Sequence, residues 1–378
     1  MDKDEIKNWL KESREDKLAE LWSTADRVRR ENVGDAVYLR GLVEFSNHCA
    51  RRCGYCGINA TNSQVSRYRM TADEILECAR QAEEYGYCTV VLQSGEDYGM
   101  PAGWLADVIR RIKNRTGLAV TLSVGERSYD DLRLWKSAGA DRYLLRFETS
   151  NRKLYDRIHP PLPHQQKSDR FEILRRLREI GYEVGSGVMI GIPGQTWDDI
   201  AEDIVMFSRL DLDMIGVGPY IPHPAGEVSG FAPAEPQMQV PNTEDVTYRV
   251  VALTRIMCPC TNIPSTTALA TLNKNQGREL GLQRGANVVM PNVTPLKYRT
   301  LYEIYPEKAC INETAQHCCR CLESRLASIG RTVGRGSSSC SSTTGESAKA
   351  AWRSKTSSGV SRWLAPLATT MEFSPLAS

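Results

Sequence analysis

Val37-Tyr-Leu-Arg-Gly-Leu-Val-Glu-Phe45-Ser-Asn-His-Cys49-Ala-Arg-Arg-Cys53-Gly-Tyr-Cys56 is a β-rich run that ends in three cysteines spaced C-x3-C-x2-C. In a parallel α/β protein, the end of a strand is where chemistry is presented. Three thiolates so close in sequence can hold three irons of a 4Fe–4S cube, and they leave the fourth iron without a protein ligand. Clusters that only carry electrons normally close all four positions with Cys. An open iron can bind a small molecule instead. The competing reading is structural zinc, or three unrelated thiols. Structural zinc asks for four ligands, and no fourth lies at suitable spacing. His48 directly precedes Cys49, so it is poorly placed to close the same loop.

The chain has 378 residues and a formal charge of +2, with length enough for a barrel and its extensions. Near-neutral charge provides no basic field for nucleic acid and no polybasic patch for a membrane surface. No apolar run reaches the length of about 18 residues that a transmembrane helix needs. The start, Met1-Asp-Lys-Asp-Glu-Ile-Lys7, alternates in charge and lacks an apolar signal core. A cytoplasmic protein with no nucleic-acid or membrane partner is expected. The 12 Cys are clustered in a chain that is neither short nor visibly secreted, which favours metal ligands over disulfides.

Residues 1–34 are charged and amphipathic and read as a helical lead-in. Beyond them, β-rich runs alternate with amphipathic helical stretches. The runs are Val37–Phe45, Cys88–Ser94, Leu118–Val124, Asp141–Phe147, Val184–Ile190, Leu212–Gly218, Asn262–Thr267 and Ala286–Met290. Thr71 with Glu74 predicts a capped helix start, and Gly86, Gly139 and Gly181 predict helix ends. Such alternation implies a parallel sheet, and eight repeats suit an α/β fold closed into a (β/α)8 TIM barrel over 35–305. An incomplete six-stranded barrel is the alternative, because the last two runs are short. The Pro- and Gly-rich stretch 225–241 predicts a loop over the mouth. Residues 306–330 hold a second cysteine group. The Ser- and Thr-rich tail, 331–378, reads as disordered, or as the product of a shifted reading frame.

The strand ends carry Gln93-Ser94-Gly95-Glu96, Gly125-Glu126, Arg146-Phe147-Glu148, Met189, Thr266-Thr267 and Met290. Each alone is an ordinary loop residue; their joint placement at one mouth is the signal. With the open iron, the set suits S-adenosylmethionine (SAM), the ligand that radical SAM enzymes cleave to a 5′-deoxyadenosyl radical. Ser94, Gly95 and Glu96 suit the ammonium, and Arg170 the carboxylate. Glu148 suits the ribose hydroxyls, and Met189 the adenine. Tyr55, next to the last cysteine, joins the cofactor-binding set. A surface ion pair is the plain alternative for Glu148 and Arg170. Cys310, Cys318 and Cys321 form C-x7-C-x2-C, enough for three ligands of an auxiliary 2Fe–2S or 4Fe–4S cluster, with water or Cys319 as a fourth. The alternative is a set of spare thiols. Cys78, Cys88, Cys258 and Cys260 read as core or surface thiols.

The chain resembles the HydE family, radical SAM maturases of FeFe-hydrogenase in the branch that holds biotin synthase. The resemblance spans about residues 35–330. It is carried by Arg40-Gly-Leu-Val-Glu-Phe-Ser-Asn-His-Cys49, Leu92-Gln-Ser-Gly-Glu-Asp97, Asp141-Arg-Tyr-Leu-Leu-Arg146, His164-Gln-Gln-Lys-Ser-Asp-Arg170, Gly191-Ile-Pro-Gly-Gln-Thr196, Ile263-Pro-Ser-Thr-Thr267 and Gly285-Ala-Asn-Val-Val-Met-Pro-Asn292. It implies SAM contacts at Gln93, Glu148, Arg170 and Met189. It also implies a substrate cavity lined by Arg142, Arg146, Thr266, Thr267, Met290 and Tyr302. Further, it implies a cysteine-bound iron carbonyl–cyanide precursor, delivered by another hydrogenase maturase. The Cys310 group matches a second cluster found in only some members. After residue 335 the family's ending is lost. Methylornithine synthase and biotin synthase are the neighbouring alternatives; biotin synthase needs Cys at strand ends, where this chain has Ser94, Val124 and Met189. An iron–sulfur scaffold that hands metal on is the non-catalytic alternative.

Overall fold

The computed structural model describes residues 1–161, 168–226, 228 and 235–336, apart from the side chains of residues 317, 318 and 320. Two helices lead in, α1 (Lys3–Lys11) and α2 (Glu15–Val33). There follow β1 (Ala36–Ser46), α3 (Ala72–Glu84), β2 (Thr89–Ser94), α4 (Ala102–Arg115), β3 (Ala119–Ser123), α5 (Tyr129–Ser137), β4 (Arg142–Leu144), α6 (Arg152–Ile158), α7 (Arg170–Ile180), β5 (Glu183–Ile190), α8 (Trp197–Arg209) and β6 (Met214–Pro219). The chain continues with α9 (Glu244–Met257), α10 (Thr267–Leu272), α11 (Gly277–Gln283), β7 (Val288–Val289), α12 (Leu296–Arg299), α13 (Ala315–Ser328) and β8 (Thr332–Val333). Seven strands lie along one path in the order β6-β5-β4-β3-β2-β1-β7, and every pair is parallel. The parallel α/β arrangement is as expected, but the path is a half-barrel of seven strands in place of the eight regular strands of the expected closed (β/α)8 barrel.

The predicted strand over Asn262–Thr267 does not form as a regular strand. It is reduced to single parallel bridges, Asn262 to Met214 of β6 and Pro264 to Val288 of β7. Local chemistry explains this. Pro264 has no N–H to donate to a ladder. The Ile263 N–H instead donates to the Asn287 side-chain oxygen at 2.8 Å, and Asn287 Nδ2 donates to Asn262 Oδ1 at 3.1 Å. β4 is also shorter than predicted. The Ser186 hydroxyl donates to the Leu145 carbonyl at 2.8 Å and accepts from Phe147 N at 3.2 Å, which takes up the bonds that a longer ladder would use.

The caps follow the sequence. Thr71 and Glu74 form the reciprocal pair at the start of α3, and Gly86, Gly139 and Gly181 take positive φ after α3, α5 and α7. The lead-in helices pack on α8 and α9. The helices bury their apolar stripes against the sheet, with Trp135, Phe147 and Phe207 among the most enclosed side chains. The boundary at residue 331 moves: Thr332–Val333 pairs with β1. From residue 337 the expected disordered tail lies outside the described residues, as do residues 227 and 229–234 of the expected mouth loop at 225–241.

A Cβ on Gly187 would lie 1.9 Å from the Gly216 carbonyl oxygen of the neighbouring strand, whereas one on Gly103, in the first turn of α4, meets nothing within 4 Å. Gly187→Ala is therefore expected to destabilise the protein by about 3 kcal/mol in urea unfolding. Gly103→Ala is expected to stabilise it by about 0.5 kcal/mol.

Candidate active site

β1 ends at Ser46, and the cysteine loop begins three residues later. Two close approaches shape the loop. A Cβ on Gly95 would lie 2.4 Å from the His48 carbonyl oxygen and 2.9 Å from Cys49 Cβ, so only glycine lets the end of β2 sit against the loop. The second is at Gly57, where a Cβ would lie 2.3 Å from the Glu303 carbonyl oxygen. Asn47 and Arg67 tie the loop down. Asn47 Nδ2 donates to the carbonyls of Ser66 and Leu301 at 2.9 and 2.8 Å. Arg67 donates to the carbonyls of Asn47, Ile58 and Asn59 at 2.6–2.7 Å. The loop is thus held by side-chain donors where no ladder exists to satisfy its backbone.

Burial pushes all three thiols up: Cys49, Cys53 well above the usual range, and Cys56 to about 12. Mutual repulsion adds to this, because Cys53 senses both Cys56 and Cys49. Backbone N–H groups work the other way: Glu96 N donates to Cys49 Sγ at 3.4 Å, and Ile58 N to Cys56. Three thiolates held together, Cys53 buried and Cys49 and Cys56 half-buried, need a cationic core to be stable. Among the described residues no three His, Cys, Asp or Glu side chains close on a single metal ion. A cube asks for a different arrangement, three thiolates spread over three irons with one iron facing a ligand space. The loop fits that demand, since Cys56 and its neighbour Tyr55 line the cavity at the strand ends.

That cavity measures about 310 Å³. Its walls bring together Gln93, Ser94, Arg146, Glu148, Arg170, Met189, Thr266, Thr267, Met290 and Tyr302. Three expected members, Arg142, Glu96 and Gly95, do not line it. Arg142 is the first residue of β4, at the opposite end of the strand, where it donates to Glu183 at 2.5 Å and to Thr89 Oγ1 at 3.1 Å. Glu96 turns away from the cavity; its carboxylate takes Arg51, the Tyr98 hydroxyl and, at 3.0 Å, Glu126 N. Gly95 serves as the close-approach residue beside Cys49.

A charged layer lies under the loop. Arg51, from within the cysteine motif, pairs with Glu96 and, at 2.8 Å, with Glu126. Arg170 Nε reaches Glu126 at 2.9 Å. Burial works against the Glu126 charge, yet Arg170 and Arg51 hold its carboxyl below the usual range. Glu148 has φ 62°, and its Oε2 lies 3.1 Å from Arg146 Nη2.

Reasoning from strand ends missed Glu44 and Lys308, which also line the cavity. Glu44 is buried on β1, accepts from Lys308 and takes the Asn292 amide at 2.8 Å. Glu44 lies in the quoted strand, where alternation places it on the same face as Leu42 and Ser46. No pattern marks Lys308.

In the second cysteine group, Cys310 and Cys321 line one cavity of about 430 Å³ together with Lys274, Arg278 and Arg325. Cys319 instead packs in the hydrophobic core with Leu322 and Leu326. The Cys318 side chain lies outside the described residues. Among the described residues, Cys78, Cys258 and Cys260 are buried and Cys88 is partly exposed.

Residues 43–207 match the radical SAM superfamily. The chain is 45% identical over 316 residues to the FeFe-hydrogenase maturase subunit HydE of Thermotoga maritima, a match that covers 83% of this chain and 87% of that protein. It is 25% identical over 288 residues to 3-methylornithine synthase of Methanosarcina acetivorans, covering 76% and 78%. Among solved structures, methylornithine synthase PylB superposes with a TM-score of 0.75 at 24% identity, over 88% of this chain and 94% of its own. HydG, a maturase of the FeFe-hydrogenase, superposes with a TM-score of 0.72 at 21% identity, over 87% and 72%. At those identities the two structures share the fold with this chain and carry no more than that.

Arg142 and Arg51 differ in what they support. Arg142→Met is expected to cost roughly 2 kcal/mol in urea unfolding while the reconstituted protein keeps its iron and sulfide. Arg51→Met is expected to lose iron and sulfide as well, measured per chain after anaerobic reconstitution. Equal iron in the two variants would contradict the placement.

Proposed function

We propose, on the ground that this chain belongs to the HydE family of the radical SAM superfamily, that it cleaves SAM reductively while building the active-site cluster of FeFe-hydrogenase. It is a radical SAM enzyme, dependent on SAM and on a 4Fe–4S cluster. The observation that carries the proposal is the single cavity in which Cys56, Arg170, Glu148 and Met189 meet.

Cys49, Cys53 and Cys56 hold the cluster, which when bound supplies one electron to the sulfonium of SAM. The protein does the positioning. Arg170 receives the carboxylate with paired donors. Ser94 and Gly95 offer the backbone turn for the ammonium, Glu148 accepts from ribose, and Met189 lies against the adenine. Gln93 and Tyr55 complete the SAM side.

Arg146, Thr266, Thr267, Met290 and Tyr302 form the substrate side, and the Lys308–Glu44 ion pair lies beside them. The donors of Arg146 suit an anionic precursor such as a cysteine-bound iron carbonyl–cyanide unit, supplied by another hydrogenase maturase. The Asn262 and Pro264 bridges support closure of the (β/α)8 barrel around this cavity. Apart from Cys56, none of the residues lining it is a cysteine, which argues against sulfur insertion of the biotin synthase type. Cys310 and Cys321, with Cys318, are assigned to an auxiliary cluster.

Reduced, reconstituted protein given SAM is expected to release 5′-deoxyadenosine. Anaerobic co-expression with hydrogenase and the other maturases is expected to yield active hydrogenase with the wild type and none with Cys53→Ala. Absence of 5′-deoxyadenosine from the wild type would overturn the SAM reading, and full maturation by Cys53→Ala would overturn the role of the cluster.

A further inference from the structure

Arg170 is the first residue of α7, and its guanidinium is buried. Such a group has five N–H donors and no acceptor. Nε donates to Glu126 Oε1 at 2.9 Å, Nη1 to the Arg146 carbonyl, and Nη2 lies 2.6 Å from His159 Nε2. Among the described residues two donors remain without a partner, one on each Nη, in a side chain that lines the cavity.

His159 caps α6 and is 2% exposed. Arginine can only donate, so Nε2 must be the bare nitrogen of the ring. The proton of the neutral ring is then on Nδ1, 3.1 Å from the Tyr155 hydroxyl. Burial, and then the charge of Arg170, hold His159 neutral by pushing its pKa down to about 2. The Tyr155 hydroxyl lies 3.2 Å from Ser168 Oγ, and Ser168 Oγ donates to Glu126 Oε1 at 2.5 Å. The donors therefore run in one direction, from His159 to Tyr155 to Ser168 to Glu126. Arg170 donates into both ends of that chain, which closes a ring of five residues. The Tyr155 ring also faces the Arg170 guanidinium, with 5.6 Å between Cζ and the centroid.

We infer that His159 is a positioning residue for Arg170, fixing the guanidinium so that its two remaining donors meet one ligand carboxylate as a pair. Glu126 on Nε and the Arg146 carbonyl on Nη1 hold two corners of the fork and leave Nη2 without a partner of its own. A second carboxylate in place of His159 would fix it but cancel the charge that draws the ligand. A neutral imidazole accepts the hydrogen bond and leaves the charge in place. The inference rests on the reading of Arg170 as the partner of the SAM carboxylate.

The test compares two ligands, SAM and decarboxylated SAM, titrated into the reduced holoenzyme and followed by the EPR signal of the cluster. His159→Gln keeps an acceptor near the position of Nε2. His159→Asn keeps a polar atom near Nδ1 and loses the acceptor for Arg170. His159→Asn is expected to bind SAM about tenfold more weakly with the decarboxylated analogue unaffected, so the ratio of the two affinities falls about tenfold. His159→Gln is expected to stay within about threefold of wild type. Tyr155→Phe removes the next link and is expected to weaken SAM alone by about threefold. Equal weakening of both ligands in all three variants, or an unchanged ratio in His159→Asn, would overturn the inference while leaving the SAM reading intact. A wild type that binds neither ligand and makes no 5′-deoxyadenosine would overturn both.

Discussion

A guanidinium lodged between two buried carboxylates organises this molecule. Arg51 comes from the cysteine loop, Glu96 from beyond β2, and Glu126 from beyond β3. Arg170 extends the layer from α7 through the same Glu126. Four segments distant in sequence are thereby held in register beneath the thiols. Desolvation of these charges is costly, and their mutual attraction offsets it only while the geometry holds. Breaking one partner leaves an uncompensated buried charge, at about 3–5 kcal/mol in comparable cases. The layer therefore tolerates little drift, and the loop above it inherits that rigidity.

The same layer serves the electrostatics of the loop. Burial makes the three thiols resist ionisation, and Cys49 and Cys56 make Cys53 harder still to ionise. Arg67 and Arg170 bring positive charge nearby, while backbone N–H groups aim at the sulfurs. A metal core completes the balance. In the proposed reading Arg170 has two roles, countercharge and ligand partner. It can perform both because Glu126 is shared between two guanidinium groups rather than spent on one.

Much of this was legible in the sequence, for identifiable reasons. The strand bodies are β-branched and apolar, so their positions were readable, and the spacing Cys49, Cys53, Cys56 is a local property of the chain. Arg142 and Arg146 show where the signal ends. Strand alternation puts both on one face. Four residues of extended chain span about 13 Å, enough to place one at the mouth and the other at the floor. The same limit applies to Glu96. Its turn was visible, but which way the carboxylate points depends on Arg51. Lys308 and His159 were invisible because their partners, Glu44 and Arg170, come from elements that only the fold brings near.

Glu148 shows how a departure from regular structure becomes useful. A non-glycine residue with φ 62° is in a sparsely populated region and costs about 1–3 kcal/mol unless its surroundings fix it. The surroundings here are specific. Glu148 N donates to the Gly187 carbonyl at 3.0 Å, and the Glu148 carbonyl accepts from Met189 N at 3.1 Å. Ser150 N donates to the buried Asp203 carboxyl at 2.5 Å, which anchors the segment just beyond. β5 therefore grips Glu148 from both sides of its backbone, although β4 has already ended. The left-handed turn sends the carboxylate into the cavity beside Arg146. Glu148 keeps a single parallel bridge to Val188, so the turn that puts an acid in the cavity wall is still held against β5 after β4 has ended.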